Sequence, residues 1–188
     1  PERLVLHSIS QQFKIDGTHK VVRPEGMIGA QLSHEMLILH GVRNRCNDTI
    51  NTIDRNQIQV YDTAMSGLCS ALAVLTPEQK NSGAIVIDLG GGTTDYVVYA
   101  EGIVADAGVL GLGGDHITND IGIAFSIPII QAEQLKQEEG SAIIDSTQNL
   151  TRVSLPAESG FPGRTVSVKA LRTVIHLRTK EILEKVKD

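Results

Sequence analysis

Aromatic residues are scarce in this 188-residue chain, 3% of the total, and tryptophan is absent. A core must therefore be built from Ile, Val, Leu and Ala, which pack by shape and bring no polar ring atom with them. Only two cysteines occur, Cys46 and Cys69, without CxxC spacing. That excludes a disulfide-dense scaffold and a thiolate zinc site, and reads as two reduced, partly buried thiols. Basic residues are not in excess: the formal charge is -5 and the pI about 5.7, which argues against a general nucleic-acid binder. The six histidines, His7, His19, His34, His40, His116 and His176, are scattered and make no HxxxH pattern, so they read as surface or hydrogen-bonded residues. No apolar run approaches the roughly 20 residues that span a bilayer. No secretory signal opens the chain. Position 1 is not Met, and residues 1–6 run straight into a strand pattern, as expected of a piece of a longer protein.

What is present is 41% hydrophobic residues and 18 glycines. The first suffices for one ordinary domain or two small ones; the second indicates tight turns, or backbone that approaches a ligand. Residues 4–15 predict a strand with Val5, Ile9, Phe13 and Ile15 on one face, ended by the turn Asp16-Gly17. A second extended region covers 27–42, centred on Met36-Leu37-Ile38-Leu39. Cys46, Ile50 and Ile53 make one apolar stripe of a helix over 44–56, and a short strand is expected at 58–60. The first 65 residues therefore read as a small strand-strand-helix-strand unit.

An Ala- and Leu-rich helix is predicted over 66–75. Residues 84–87 (AIVI) are a continuous apolar run, as for a strand buried on both faces. Two more strands, at 96–99 and 103–109, complete an antiparallel meander with tight turns. Then comes a helix with Ile117, Ile121 and Ala124 on one stripe, broken by Pro128, and another over 129–139 ended by Gly140. Residues 141–167 are mixed, with a loop around Pro156, Gly160, Pro162 and Gly163. The last helix spans 168–187, with Leu171, Val174, Ile175, Ile182 and Val186 facing inward and a Glu181–Lys185 pair outside. Its Lys169, Arg172, Arg178, Lys180, Lys185 and Lys187 read as a solvated face balanced by Glu181 and Glu184.

The stretch that carries chemistry is Asp88-Leu89-Gly90-Gly91-Gly92-Thr93-Thr94-Asp95. Three glycines after a strand allow positive φ and close approach to a bulky anion, with successive N–H groups aimed into one concavity. Thr93 and Thr94 add hydroxyls, Asp88 sits where a carboxylate can hold Mg²⁺ directly or through water, and Asp95 lies across the turn. The chain has no GxxxxGK[ST] and no GxGxxG opening a helix. The glycines lead into a second strand, so the turn is a hairpin tip and no helix N-terminus receives the phosphate.

This segment resembles the second phosphate motif of the actin and heat-shock-chaperone ATPase superfamily. Two more segments match in order. Residues 113–121 (GGDHITNDI) resemble the helix start after the meander, and residues 132–136 (AEQLK) resemble an AExxK helix. The resemblance implies a mixed α/β fold, part of an actin-like lobe. It implies ATP and Mg²⁺ as cofactors, with Gly90, Gly91, Gly92, Thr93 and Thr94 on the phosphates and Asp88 on Mg²⁺ through water. Gly113, Gly114 and Asp115 would stand at the helix start, and Glu133 and Lys136 would face ribose and adenine. Gln137 stands where relatives often carry a basic residue.

Within the superfamily the small leading unit is similar to that of the FtsA family of actin-like cell-division proteins. The residues that carry it are Val5-Leu6-His7-Ser8-Ile9, Gln11-Gln12-Phe13, Gly26-Met27-Ile28-Gly29, residues 70–75 and residues 113–120. The resemblance divides the chain into a small domain, 1–65, and part of the second actin-like lobe, 66–188. That lobe divides again into a nucleotide-binding part at 66–125 and an outer part at 126–188. It implies ATP-dependent filaments, binding of the FtsZ C-terminal tail, and contacts to other division proteins through the small domain. Membrane attachment would come through a tail outside this sequence, which places the protein at the cytoplasmic face of the division site. No general base is assignable, so at most weak ATPase activity is implied, and the fragment itself is expected to bind ATP weakly or not at all. An actin-like pilus-assembly protein is the alternative of similar fold, and a chaperone-type ATPase a more distant one.

Overall fold

The computed structural model describes residues 2–17, 19–21, 23–144, 151–157, 160 and 162–187. They form two units, residues 1–88 with 96–108, and residues 89–95 with 109–188.

In the first unit, β1 (Arg3–Ile15), β2 (His19–Val21) and β3 (Leu32–Val42) make an antiparallel sheet in the order β2-β1-β3. The expected single apolar face of the first strand does not form. Register shifts lie between Val5 and His7 and again between Ser10 and Phe13. Each extra residue reverses which side the following side chains face. Val5 is consequently exposed, Ile9 packs on the core, and Phe13 stacks on His34 at 4.2 Å. Helix α1 (Arg43–Asp54) follows. Residues 58–60 form no strand; Ile58 and Tyr61 are exposed, and no neighbouring strand satisfies their backbone. The third strand of this sheet is instead the short β2.

Next come α2 (Ser66–Val74) and α3 (Pro77–Ser82), then β4 (Ala84–Leu89), β5 (Thr94–Ala100) and β6 (Ile103–Leu110), ordered β4-β5-β6. Thr76 and Gln79 close a capping box on α3, with Pro77 in its first turn. Connections of four and two residues can join these strands only as antiparallel neighbours. The core of this unit is Leu68, Ala71, Val97, Tyr99 and Val104. Strand β4 is not buried on both faces as its apolar run suggested. It alternates, with Ile85, Ile87 and Leu89 exposed, because only its Val86 face packs on the core. Both cysteines are free thiols, Cys46 half-buried and Cys69 exposed.

The second unit is built on α4 (Gly114–Phe125), α5 (Ile129–Glu139) and α6 (Val168–Lys187), with a hairpin of β7 (Arg152–Leu155) and β8 (Arg164–Ser167). The sequence reading left this hairpin out; each strand has only four residues, too few to show a period. Ile117, Ile121, Ile127, Ala132, Leu135, Val166, Leu171 and Ile175 form its core. Ala124, expected inward, is exposed, since α4 stops one residue later with Ser126 in the left-handed conformation at φ 50°. On α6 the expected Glu181–Lys185 pair is replaced. Arg178 Nε reaches Asp120 Oδ2 at 2.6 Å, its Nη2 reaches Oδ1 at 3.0 Å, and its Nη1 reaches Glu181 Oε2 at 2.5 Å. This two-pronged pairing fastens α6 to α4. Among the described residues no helix is long and apolar enough to cross a membrane.

Leu171 and Ile121 are fully buried, so Leu171→Ala and Ile121→Ala should each cost about 2–5 kcal/mol. Ile123, 70% exposed on the same helix as Ile121, should change stability by less than about 0.5 kcal/mol when cut to Ala. Urea unfolding midpoints of the three variants test this; equal losses at all three would refute the assigned core.

Candidate nucleotide site

Residues 90–93 link β4 to β5 and are exposed. Gly90 N–H donates to the Thr93 carbonyl at 2.9 Å, closing the turn. One side of it is held by the next helix. Gly114 N–H donates to the Gly90 carbonyl, and Asp115 N–H to the Gly91 carbonyl, each at 2.8 Å. These are the first amides of α4, which have no partner inside the helix. The glycine turn satisfies them, and so they are not open to an anion. The consequence lies on the opposite side of the same peptides. No peptide bond here is cis, and in a trans peptide C=O and N–H point in opposite directions. With the carbonyls of Gly90 and Gly91 turned to α4, the N–H groups of Gly91 and Gly92 both point away from it, side by side. Two consecutive amides aimed one way make an anion-binding concavity.

The glycines do not take the positive φ that the sequence reading proposed as one reason for them; none of Gly90, Gly91 and Gly92 lies in that region. Close approach is the operative reason. A Cβ on Gly113 would lie 2.4 Å from the Gly91 oxygen and 2.5 Å from that of Gly90. One on Gly91 would come within 3.3 Å of the Asp115 carboxylate. At Gly92 an added Cβ meets nothing within 4 Å. The Gly113 loop is fastened on both sides: its N–H donates to His116 Nδ1 at 3.1 Å, and buried Thr94 donates its hydroxyl to the Leu112 carbonyl at 2.7 Å. Thr94 therefore spends its one proton on the loop, whereas Thr93 is exposed. Asp95 is buried. Asp88 belongs to the first unit, where Ser70 Oγ donates to its Oδ2 at 2.6 Å.

Helices α4 and α5 border a cleft of about 440 Å³ lined by Asp115, Thr118, Ile129, Ile130, Glu133 and Gln134, with Gln137 at its edge. Ile129 and Ile130 are 55% and 64% exposed, an apolar plate beside a carboxylate. Lys136 Nζ lies 2.7 Å from Glu133 Oε2, 2.7 Å from Thr118 Oγ1 and 3.2 Å from the Gly114 carbonyl. Thr118 Oγ1 also reaches Glu133 Oε2 at 2.5 Å, and Gln137 Nε2 donates to Glu133 Oε1 at 2.7 Å. Hydrogen bonds from Lys136, Thr118 and Gln137, in that order, hold the Glu133 carboxyl down at about 2, so it is ionised throughout the physiological range. The structure thus gathers Gly90, Gly91, Gly92, Thr93, Thr94, Gly113, Gly114, Asp115, Glu133 and Lys136 in one unit. Sequence reasoning missed Thr118, His116, Ile129 and Ile130. The two isoleucines precede Glu133 by four and three residues, a same-face helical spacing that was there to be read.

Comparison with known proteins bears on this arrangement. The profile of the family described as "Cell division protein FtsA" matches residues 85–185, and that of the "SHS2 domain inserted in FTSA" matches residues 1–40. The chain belongs to the FtsA family. Among its FtsA relatives, the cell division protein of Pseudomonas aeruginosa is 30% identical over 181 residues, covering 96% of this chain and 43% of its own length. That of Escherichia coli K12 is 29% identical over 187 residues, covering 100% and 44%. The chain thus spans less than half the length of the curated FtsA relatives it matches. Among solved structures, MreB5 of Spiroplasma citri bound to ADP superposes with a TM-score of 0.60 at 22% identity, over 78% of this chain and 47% of that one. The PilM–PilN type IV pilus biogenesis complex gives 0.51 at 16% identity, over 70% and 38%. These likenesses carry the fold, and the expected mixed α/β, actin-like class holds. FtsA membership decides against the pilus-assembly alternative, which shares that fold.

Gly113→Ala forces a methyl group into two carbonyl oxygens and should destabilise the FtsA-type chain by about 1–3 kcal/mol; calorimetry showing an unchanged melting temperature would contradict the close approach. The Glu133 carboxyl is lowered on folding, from 4.5 to about 2. Its stabilising contribution is thus present above about pH 4.5 and is lost as pH falls from there toward 2. Denaturant titrations at a series of pH values should show this slope diminished in Glu133→Gln.

Proposed function

We propose that this FtsA-family chain contributes the phosphate- and sugar-binding side of an ATP site in an actin-like cell-division protein. The observation that carries this reading is the pair of outward amides at Gly91 and Gly92. They are aligned by the bonds of Gly90 and Gly91 to Gly114 and Asp115, beside open space at Gly92. The triphosphate lies against these amides, with the Thr93 hydroxyl as a further donor. Thr94, Gly113, Gly114 and Asp115 hold the turn in place. The sugar and base occupy the cleft between α4 and α5, with Glu133 accepting from ribose hydroxyls, Lys136 beside it, and Ile129 and Ile130 under the base. Asp88 takes Mg²⁺ through water. A single carboxylate suits this ion, which keeps several of its waters. The MreB5 structures, of similar fold, are of complexes with ADP and AMPPNP, which supports a nucleotide here.

The wider role follows from the family. Residues 1–65 act as the small inserted domain that meets neighbouring subunits and other division proteins. Residues 66–125 carry the phosphate-binding turn, residues 126–188 form the outer part with Glu133 and Lys136, and the lower part of this second actin-like lobe receives the FtsZ tail. Filaments of this protein hold FtsZ at the cytoplasmic face of the membrane at the division site.

The test is a titration of the full-length protein with labelled ATP, with and without Mg²⁺, beside Asp88→Ala, Gly91→Val and Gly92→Ala. Both glycine variants should weaken binding by about tenfold or more, equivalent to ~1.4 kcal/mol. Asp88→Ala should do so only with Mg²⁺ present. Gly92→Ala should melt like wild type, since its methyl group meets no part of the chain. Unimpaired binding by the glycine variants would remove the phosphate assignment.

A further inference from the structure

Lys136 is a three-bonded junction of α4 and α5 when its partners are followed outward. An ammonium group has three N–H donors, and three acceptors of the chain surround it: Glu133 Oε2, Thr118 Oγ1 and the Gly114 carbonyl, at 2.7, 2.7 and 3.2 Å. Thr118 is 4% exposed, and its hydroxyl accepts from Lys136 while carrying one proton of its own. Two acceptors compete for that proton, Glu133 Oε2 at 2.5 Å and the Gly114 carbonyl at 3.1 Å. The ionised carboxylate is nearer and the stronger acceptor. Gly114 is the shared element. Its carbonyl receives Lys136, and its N–H holds the Gly90 carbonyl at 2.8 Å.

We infer that Thr118 is a positioning residue: with Lys136 it forms a hydrogen-bonded strut that fixes Glu133 and ties it through Gly114 to the glycine turn. This rests on the nucleotide reading above and assigns roles within that site: Glu133 presents its Oε1 side to the sugar, while Lys136 keeps Oε2 occupied. The strut makes the sugar end and the phosphate end of the site one rigid body. A loss at Thr118 is therefore felt at both.

The experiment uses the full-length protein and three probes: ATP with Mg²⁺, adenosine, and inorganic triphosphate. Thr118→Val keeps the shape and removes the hydroxyl; Thr118→Ser keeps the hydroxyl. The strut requires Thr118→Val to weaken all three probes, adenosine and ATP by about tenfold, with Thr118→Ser within about twofold of wild type. ¹³C NMR of the Glu133 carboxyl should show its titration midpoint raised in Thr118→Val and unchanged in Thr118→Ser. The inference is overturned if wild type binds ATP and Thr118→Val binds as well. It is equally overturned if Thr118→Ser is as weak as Thr118→Val, which would make the effect one of packing, or if the Glu133 midpoint does not move. Should Thr118→Val fail to fold, Lys136→Met replaces it, with the same losses required for all three probes. Wild type failing to bind ATP overturns the nucleotide reading instead, and the Glu133 titration still decides whether the strut exists.

Discussion

Two hydrogen bonds organise the candidate site: the amides of Gly114 and Asp115 on the carbonyls of Gly90 and Gly91. They resolve two needs at once. The start of a helix has donors with no partner inside it, and a glycine-rich turn has no side chains to hold its peptides in one orientation. Each supplies what the other lacks. Because a peptide is planar, fixing the carbonyls also fixes the amides on the far side. The orientation of the turn's free amides therefore follows from a contact made on its back. Gly113 belongs to the same contact, since any side chain there would force the two segments apart.

Around that contact the helices of the second unit are fastened by polar groups at their rims and by aliphatic packing inside. Ile121 and Leu171 fill the interior, and Asp120 and Arg178, on the same two helices, close the edge with paired bonds. Thr118 is on α4 too, turned toward α5. One helix thus carries the turn at its start, the strut in its first turns and the clamp beyond it. This is an economical way to make the candidate pocket stiff without aromatic residues. Hydrogen bonds to charged groups, stronger than neutral ones, supply direction that branched aliphatic side chains cannot.

Much of this was legible in the residues. The hairpin tip, the strand on either side and the helices at 129–139 and 168–187 announced themselves through glycine, proline and apolar period. The AExxK and GGDHITND segments pointed to a family before any coordinates. Errors arose where a rule of spacing was overridden by neighbours. Bulges turned Val5 away from Ile9; β4 packs on the core with one face only; and an unpartnered stretch at 58–60 stayed without strand structure. The β7–β8 hairpin was too short to leave a pattern.

The sequence by itself determined which residues could do chemistry, because residue type and local spacing are written in it: an acid, three glycines and two threonines at a hairpin, and a glutamate and a lysine one helical turn apart. What only the tertiary structure decided was how those groups are used. Thr94 spends its hydroxyl on Leu112, Lys136 spends its protons on Gly114, Thr118 and Glu133, and the glycines serve close approach and not positive φ. Apart from the local Glu133–Lys136 pair, each of these depends on a partner 18 or more residues away. Hydrogen-bond valence is consumed by whichever acceptor the fold brings within reach, and no local pattern records that distance.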